Sequence, residues 1–99
     1  MYSQLTIYLH MAKDKRYNTV KNLIAGGYIK SFSEIWETLP KTIVARDLKK
    51  HHQTFSKLIS SPEKIRFEEA IEIASLIEIE GIQIINLIYS QIDPDKKIK

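Results

Sequence analysis

The fold of this chain is decided by residues 41–59, which read KTIVARDLKKHHQTFSKLI. Two apolar stripes lie in this stretch, and each repeats at the spacing of three and four residues that places side chains on one helical face. The first stripe is Val44, Ala45 and Leu48, and the second is Phe55, Leu58 and Ile59. A polar run from Lys49 to Thr54 separates the two stripes. The stretch therefore predicts two short helices joined by a tight turn near Lys49-Lys50.

The second helix of this pair has a polar amino end. Two helices that cross steeply through a turn of a few residues form a helix-turn-helix, and the second helix of such a pair can enter the major groove of DNA. The candidate base-reading residues are His51, His52, Gln53 and Thr54, with Lys57 one turn later. Gln53 offers the donor and acceptor pair that matches adenine, and Lys57 can approach guanine or a phosphate.

Charge is distributed unevenly along the chain, whose formal net charge is +3. Residues 41–66 hold seven basic and two acidic residues, whereas residues 67–93 hold six acidic residues and no Lys or Arg. Solvated helical faces explain many such charges. Because DNA phosphates require positive charge, however, the pattern favours DNA beside residues 41–66 and the acidic residues on the far side. The predicted phosphate contacts are Lys41, Thr42, Lys49, Lys50, Lys64 and Arg66.

Size and composition limit the class of protein. Ninety-nine residues suit one domain with a modest core, and the absence of cysteine excludes disulfides and cysteine-based metal sites. Adjacent His51 and His52 lack a third ligand, so we expect no metal or other cofactor. No apolar run approaches the ~18 residues that cross a bilayer and no signal peptide is evident, which favours a cytoplasmic protein without membrane contact. We find no catalytic set and no phosphate-binding glycine loop, so we expect neither an enzyme nor a small-molecule ligand.

Two further helices are predicted ahead of the pair. The inward positions of the first are Tyr17, Val20, Leu23 and Ile24, and those of the second are Phe32, Ile35, Trp36 and Leu39. Gly26-Gly27 ends the first helix, after which Tyr28 or Ile29 folds back onto its last turn. Ser31 and Glu34 form a capping box at the start of the second, and Pro40 ends it. We interpret Trp36 as a core residue because it lies in the apolar stripe.

Two helices are also predicted after the pair. Ser60-Ser61-Pro62 ends the second helix of the pair, and the inward positions of the next helix are Phe67, Ala70, Ile71, Ala74 and Ile77. Residues 71–80 also alternate as a strand would, but their helix-forming residues favour a helix. Gly81 breaks this run, and a last helix ends before Asp93-Pro94.

The last helix has more isoleucine than one buried face requires. The surplus residues are Ile82, Ile85, Tyr89 and Ile92. They form either an apolar patch that joins two copies of the chain or part of a small core that uses both faces of the helix. A homodimer would place two reading helices about one DNA turn apart.

The domain organisation follows from these elements. We expect an all-α bundle of five to six helices over residues 16–93, with the helix-turn-helix at about residues 41–60. Residues 94–99 are expected to be a flexible tail. Residues 1–15 are interpreted as an extension or arm, in which residues 5–9 suit either a short strand or a helix. Because Met11-Ala12-Lys13-Asp14 looks like an ordinary protein start, residues 1–10 are a candidate upstream extension.

The apolar positions of the pair and of the helices after it resemble those of the Cro and phage lambda repressor-like helix-turn-helix domains. The matching residues are Val44, Ala45, Leu48, Phe55, Leu58, Ala74, Ile77 and Ile84. The resemblance covers about residues 41–88, half of the chain. A longer run also resembles a set of small bacterial proteins of this class, through Ile29-Lys30-Ser31-Phe32, Glu34-Ile35, Leu39-Pro40-Lys41-Thr42 and Val44-Ala45-Arg46-Asp47-Leu48. The family resemblance implies a compact helical bundle that binds double-stranded DNA, often as a dimer, and often regulates transcription.

The chain departs from this family at the turn. The family usually has glycine where Lys49 stands and an apolar residue where Lys50 stands. Because a lysine at positive φ costs around 1 kcal/mol, either the turn adopts another geometry or that strain is tolerated. This departure and the apolar last helix support an alternative function, a protein-interaction module such as an antitoxin-like partner. RNA binding would need an exposed aromatic platform, which the sequence does not supply.

Overall fold

The computed structural model describes residues 13–92, and over this range the chain forms six α-helices and one 3-10 turn without any β-strand. The helices are α1 (Arg16–Ala25), α2 (Phe32–Thr38), α3 (Lys41–Asp47), α4 (His52–Ser60), α5 (Phe67–Ile77) and α6 (Gly81–Ile92), and the 3-10 turn is Pro62–Lys64. The predicted all-α bundle is therefore confirmed, and residues 71–80 form the remainder of α5 and the turn before α6 rather than the alternative strand. The predictions for residues 1–12 and 93–99 lie outside the described residues.

Three helices end in a left-handed residue. The left-handed residues are Gly27 after α1 (φ 78°), Lys49 after α3 (φ 58°) and Glu78 after α5 (φ 66°). After α3, the N–H of Lys50 donates to the carbonyl of Ala45 at 2.8 Å, and the N–H of Lys49 donates to that of Arg46 at 3.1 Å. This is the Schellman arrangement, which glycine adopts without steric cost. The turn between α3 and α4 thus keeps the glycine-type geometry and tolerates the strain of a lysine there.

The α3–α4 pair is fixed to the bundle by its apolar residues. Val44 and Ala45 of α3 and Phe55 and Ile59 of α4 are buried, as predicted. Trp36 of α2 meets Phe55 edge to face with ring centroids 5.7 Å apart, a favourable geometry for aromatic pairs. The prediction that Trp36 faces the core is confirmed, and its contact joins α2 to α4.

A buried tyrosine connects α1 to the end of α3. The hydroxyl of Tyr17 donates a 2.6 Å hydrogen bond to Asp47, whose other carboxylate oxygen accepts Arg46 Nε at 3.2 Å. Burial, and then the neighbouring Asp47 carboxylate, raise the pKa of Tyr17 well above its usual value. The hydroxyl therefore remains a hydrogen-bond donor, and α1 is attached to the helical pair at its turn.

Glutamates occupy equivalent capping positions at the starts of α2 and α5. The Glu34 carboxylate accepts the backbone N–H groups of Lys30 at 2.7 Å and Ser31 at 2.9 Å, which lowers the pKa of Glu34. The predicted capping box at this position is confirmed. At the start of α5, Glu69 accepts the backbone N–H of Arg66 at 2.8 Å. Both carboxylates thus satisfy backbone donors that a helix leaves unpaired at its amino end.

The predicted inward face of α5 is wrong at two positions. Phe67 and Ile71 are 67% and 43% exposed, whereas Ile73, which the prediction omitted, is buried. Large apolar residues occur on several faces of α5, so the sequence is compatible with more than one choice of buried face. Ala70, Ala74 and Ile77 are buried as predicted, and the small side chains of the two alanines allow neighbouring helices to approach closely.

The connection between α5 and α6 also differs from its prediction. The left-handed Glu78, rather than Gly81, ends α5. Gly81 is the first residue of α6, and a Cβ atom there would lie 2.9 Å from Cγ1 of Ile71. Its lack of a side chain therefore permits the close approach of α6 to α5. None of the helices between residues 13 and 92 has the length and apolar character needed to cross a lipid bilayer.

Candidate nucleic-acid interface

The five residues predicted to read bases all lie exposed in or just before α4. His52, Gln53, Thr54 and Lys57 belong to the helix, and His51 is the residue that precedes it. The opposite face of α4 is anchored by buried Phe55 and Ile59. The structure therefore brings the five candidates together on a polar surface that the core supports from behind. We call the exposed residues 51–54 and 57 the α4 edge.

The amino end of α4 has no side-chain cap. The backbone carbonyl of His51 accepts the N–H of Phe55 at 2.9 Å, the first hydrogen bond of the helix. The N–H groups of His52, Gln53 and Thr54 come before this bond and have no backbone acceptor within residues 13–92. Together with the helix dipole, they favour a negatively charged or hydrogen-bond-accepting ligand at this end of α4.

An open groove of about 800 Å³ runs beside α4. Its charged lining residues are Lys50, Lys57, Lys64 and Glu69, so that three lysines face one carboxylate. The α4 edge also contributes to the lining. A groove with this composition attracts an anion more strongly than it attracts a cation.

The residues predicted to contact phosphates fall into two groups. Thr42, Lys49 and Lys64 are exposed, and Lys41 is partly exposed at the first position of α3. Lys49 points out of the left-handed turn immediately before α4, and Lys64 ends the 3-10 turn immediately after it. Basic side chains therefore lie on both sides of the α4 edge along the chain.

Lys50 and Arg66 form the second group, because each lies close to carboxylates of α5. Lys50 Nζ is 4.0 Å from Glu69 and 3.8 Å from Glu72, and Arg66 is 3.5 Å from Glu68 and 3.6 Å from Glu69. The expectation that the acidic residues lie on the far side is therefore wrong for the first turns of α5. The cause is the path of the chain, which returns from α4 through the 3-10 turn and places α5 beside the turn that precedes α4.

A second surface exposes apolar side chains. The exposed large apolar residues of α5 and α6 are Phe67, Ile71, Ile82, Tyr89 and Ile92, and we refer to them together as the apolar patch. Ile85, which the sequence assigned to it, is half-buried and packs against the core. The sequence analysis missed Phe67 and Ile71 because it placed them on the inner face. On a helical wheel Phe67 lies close to Ala74, whereas Ile71 is turned further from the buried residues, so the wheel alone identifies Ile71 and not Phe67.

The described residues give no indication of a metal centre. Within residues 13–92, no three His, Asp or Glu side chains are grouped so that they could hold a metal ion. The adjacent His51 and His52 belong to the α4 edge instead. Their chemistry is that of hydrogen-bonding side chains on an exposed surface.

Comparison with known proteins finds no matching family model, no similar curated protein and no similar solved structure. The likeness to Cro and phage lambda repressor-like domains therefore stays a prediction. What function can be proposed depends on the geometry and the charges of the described residues.

Proposed function

We propose that this protein binds double-stranded DNA through the α4 edge, with α3 and α4 acting as a helix-turn-helix, and that it regulates transcription in a bacterial cytoplasm. One observation carries the proposal. The residues of α4 able to hydrogen-bond to base edges are exposed together, while Phe55 and Ile59 of the same helix are buried. A helix held in this way presents a fixed polar surface, as a groove-reading helix requires.

Base preference in this proposal comes from Gln53, His52 and Lys57. A glutamine side chain can pair with adenine through two hydrogen bonds, and a lysine can donate to the acceptors of guanine. His51 and Thr54 lie beside them and contribute further hydrogen bonds. Replacing Gln53 by alanine is therefore expected to relax preference at one base pair.

Phosphate contacts supply most of the affinity in this proposal, and Lys49 and Lys64 are the leading residues. Lys49 occupies a left-handed position where glycine would avoid a cost of about 1 kcal/mol. Residues in such conformations are often retained for their function. A positive charge directed at the DNA backbone gives the lysine such a function. Lys41 and Thr42 extend the same contacts to the amino end of α3.

The test is a binding titration against salt with fluorescently labelled duplex DNA. We expect affinity to fall steeply between 50 and 200 mM salt, because every neutralised phosphate releases counterions. Lys64→Gln should weaken binding to all sequences alike. It should also reduce by about one the salt slope, which is the magnitude of the slope of log affinity against log salt concentration. Lys30→Gln is the matched control, since this exposed lysine lies in the loop between α1 and α2. No binding, or an affinity independent of salt, would contradict the proposal.

We also propose that the protein forms a homodimer through the apolar patch. Exposed apolar side chains that cluster on adjacent helices are typical of association surfaces. Two copies related by a two-fold axis would present two α4 edges to successive turns of DNA. Ile82→Asp should convert a dimer seen by sedimentation equilibrium to a monomer. A wild-type protein that stays monomeric at high concentration would rule the dimer out.

A protein-interaction module is the second candidate, and exposed Phe67 and Ile71 favour it. Phe67 and Ile71 are 67% and 43% exposed, and DNA binding through the α4 edge does not require large exposed apolar side chains on α5. In this function the bundle docks a partner protein through the apolar patch and the α4 edge reads no sequence. A stoichiometric complex that Phe67→Ser abolishes, together with no shift of any duplex, would favour it over DNA binding.

A further inference from the structure

Glu69 occupies a distinctive position between the two segments that flank α4. Its carboxylate lies 4.0 Å from Nζ of Lys50, in the turn before α4, and 3.6 Å from Nε of Arg66, in the segment after it. The side chain of Glu69 is 12% exposed, and those of Lys50 and Arg66 are 27% and 72% exposed. A shielded carboxylate therefore lies between Lys50, which lines the groove beside α4, and Arg66, which follows α4 in the chain.

The capping of α5 does not by itself account for this arrangement. Glu34 caps α2 through the N–H groups of Lys30 and Ser31, and no lysine or arginine side chain within residues 13–92 lies within 4.0 Å of its carboxylate. A glutamine at either position would keep the cap, because its side-chain oxygen accepts the same N–H group. The proximity of Glu69 to Lys50 and Arg66 is thus additional to the hydrogen bond that the cap needs.

We propose that Glu69 limits the affinity of the protein for DNA by competing with phosphate for Lys50 and Arg66. This inference rests on the proposed function. In the DNA-free protein the carboxylate partly neutralises both cations. A DNA phosphate that approaches either cation must displace the carboxylate of Glu69. The gain in binding free energy is therefore smaller than at a lysine without an ion-pair partner. Lys50 and Arg66 consequently contribute less to binding than their position suggests.

Glu72 and Glu68 add to the same competition. Glu72 lies 3.8 Å from Nζ of Lys50, and Glu68 lies 3.5 Å from the guanidinium of Arg66. Both carboxylates are about as exposed as the cations they approach or more so, and solvent screens such pairs. Glu69 differs from them because it reaches both cations from a shielded position, so its replacement should have the larger effect.

The experiment measures duplex DNA affinity between 50 and 200 mM salt for the wild type and three glutamine variants. Glu69→Gln removes the competing charge and keeps the cap. Glu63→Gln removes a carboxylate next to Lys64 that forms no ion pair within residues 13–92, and so measures the general effect of lost negative charge. Glu34→Gln removes the other capping charge, on α2.

We expect Glu69→Gln to tighten binding about two- to five-fold beyond Glu63→Gln, the range that exposed ion pairs support. Its salt slope should also become steeper, since Lys50 and Arg66 then release counterions on binding. Glu34→Gln should leave both quantities unchanged. An affinity and slope for Glu69→Gln equal to those of Glu63→Gln, or weaker binding, would overturn the inference.

A second pair of variants, Lys50→Gln and Lys64→Gln, tests the inference without changing Glu69. The result then does not depend on whether Glu69→Gln folds as the wild type does. Lys50→Gln should cost less affinity than Lys64→Gln, because Lys50 is already partly neutralised. An equal or greater loss for Lys50→Gln would overturn the inference while the proposed function stands. A wild-type protein that shows no salt-dependent DNA binding would instead overturn the proposed function, and the inference with it.

Discussion

The two halves of residues 41–92 expose opposite kinds of surface. The α3–α4 half, residues 41–66, holds seven basic and two acidic residues and exposes the polar α4 edge. The α5–α6 half, residues 67–92, holds five acidic residues and no basic ones, and exposes the apolar patch. Both halves contribute buried residues to one shared core. Their difference therefore lies in what each presents to solvent and not in how each is stabilised.

This difference shows how one small fold can offer two surfaces for two partners. The basic, polar surface suits a nucleic acid, whose affinity comes from phosphates and whose preference comes from base edges. The apolar patch suits a protein, because burying it removes apolar area from water. The two halves are in contact at Glu69, where a residue of the acidic half approaches Lys50 and Arg66 of the basic half.

The largest effect is expected from a matched pair of phenylalanines, one in each half. Phe55 of α4 is 1% exposed, and Phe67 of α5 is 67% exposed. Phe55→Ala should lower the free energy of unfolding by about 3–5 kcal/mol, because it leaves a cavity in the core. Phe67→Ala should change it by about 0.5 kcal/mol or less. Urea denaturation measures both values, and equal losses would show that α5 is packed differently from the structure.

The next largest effect on stability is expected at two residues with a left-handed backbone conformation, Lys49 before α4 and Glu78 at the end of α5. Lys49→Gly should raise the free energy of unfolding by about 0.5–1 kcal/mol, because glycine adopts a positive φ without strain. Glu78→Gly should raise the free energy of unfolding by less, because it also removes a 2.9 Å ion pair with Lys13. Thermal unfolding of the two variants provides the measurement.

The same two glycine variants are expected to differ in their affinity for DNA. Lys49→Gly is expected to weaken binding to every sequence and to reduce the salt slope by about one. Glu78→Gly should not weaken it, since its position lies outside the α4 edge and its flanking segments. If both variants bind DNA as the wild type does, the lysine at position 49 has no role in phosphate contact.

The smallest effect is expected from Asp14, which lies outside both halves. Side-chain and backbone hydrogen bonds from Arg16 lower the pKa of Asp14 from 3.8 to about 2. The stability that this contact adds is present above pH 4 and is lost as the pH falls toward 2. Solvent screens the contact, so between pH 5 and 2 the wild type should lose only about 0.2–0.5 kcal/mol more than Asp14→Asn. An equal loss would show that the contact adds no stability.

Much of the fold was predictable because the helices before residue 60 carry distinct signals. Gly26-Gly27, the Ser31–Glu34 capping box and Pro40 each mark a helix end by a local mechanism that neighbouring residues cannot alter. The apolar stripes of α1 to α4 were also assigned to the correct face, except that Leu58 of α4 is half-buried and lines the open groove. Local chemistry thus sufficed wherever a helix has a single apolar face.

Other features were not predictable because they depend on contacts between distant segments. In α5, Ala70, Ala74 and Ile77 were correctly predicted to be buried, but only packing against the neighbouring helices shows that Ile73 is buried in place of Phe67 and Ile71. The position of Lys50 beside Glu69 depends on how the chain returns after α4, which no local pattern specifies. The exposure of the α4 edge, by contrast, followed from the polar run between two apolar stripes.

The most direct test of the central proposal is an NMR titration of the isotopically labelled protein with duplex DNA. We expect the backbone amide shifts to change at residues 49–57 and 61–66 and to return to their DNA-free values as salt is raised. The amides of α6, near Ile82 and Tyr89, should change little at protein concentrations where the oligomeric state is constant. Shift changes confined to α5 and α6, or no changes at low salt, would contradict the proposal that the α4 edge binds DNA.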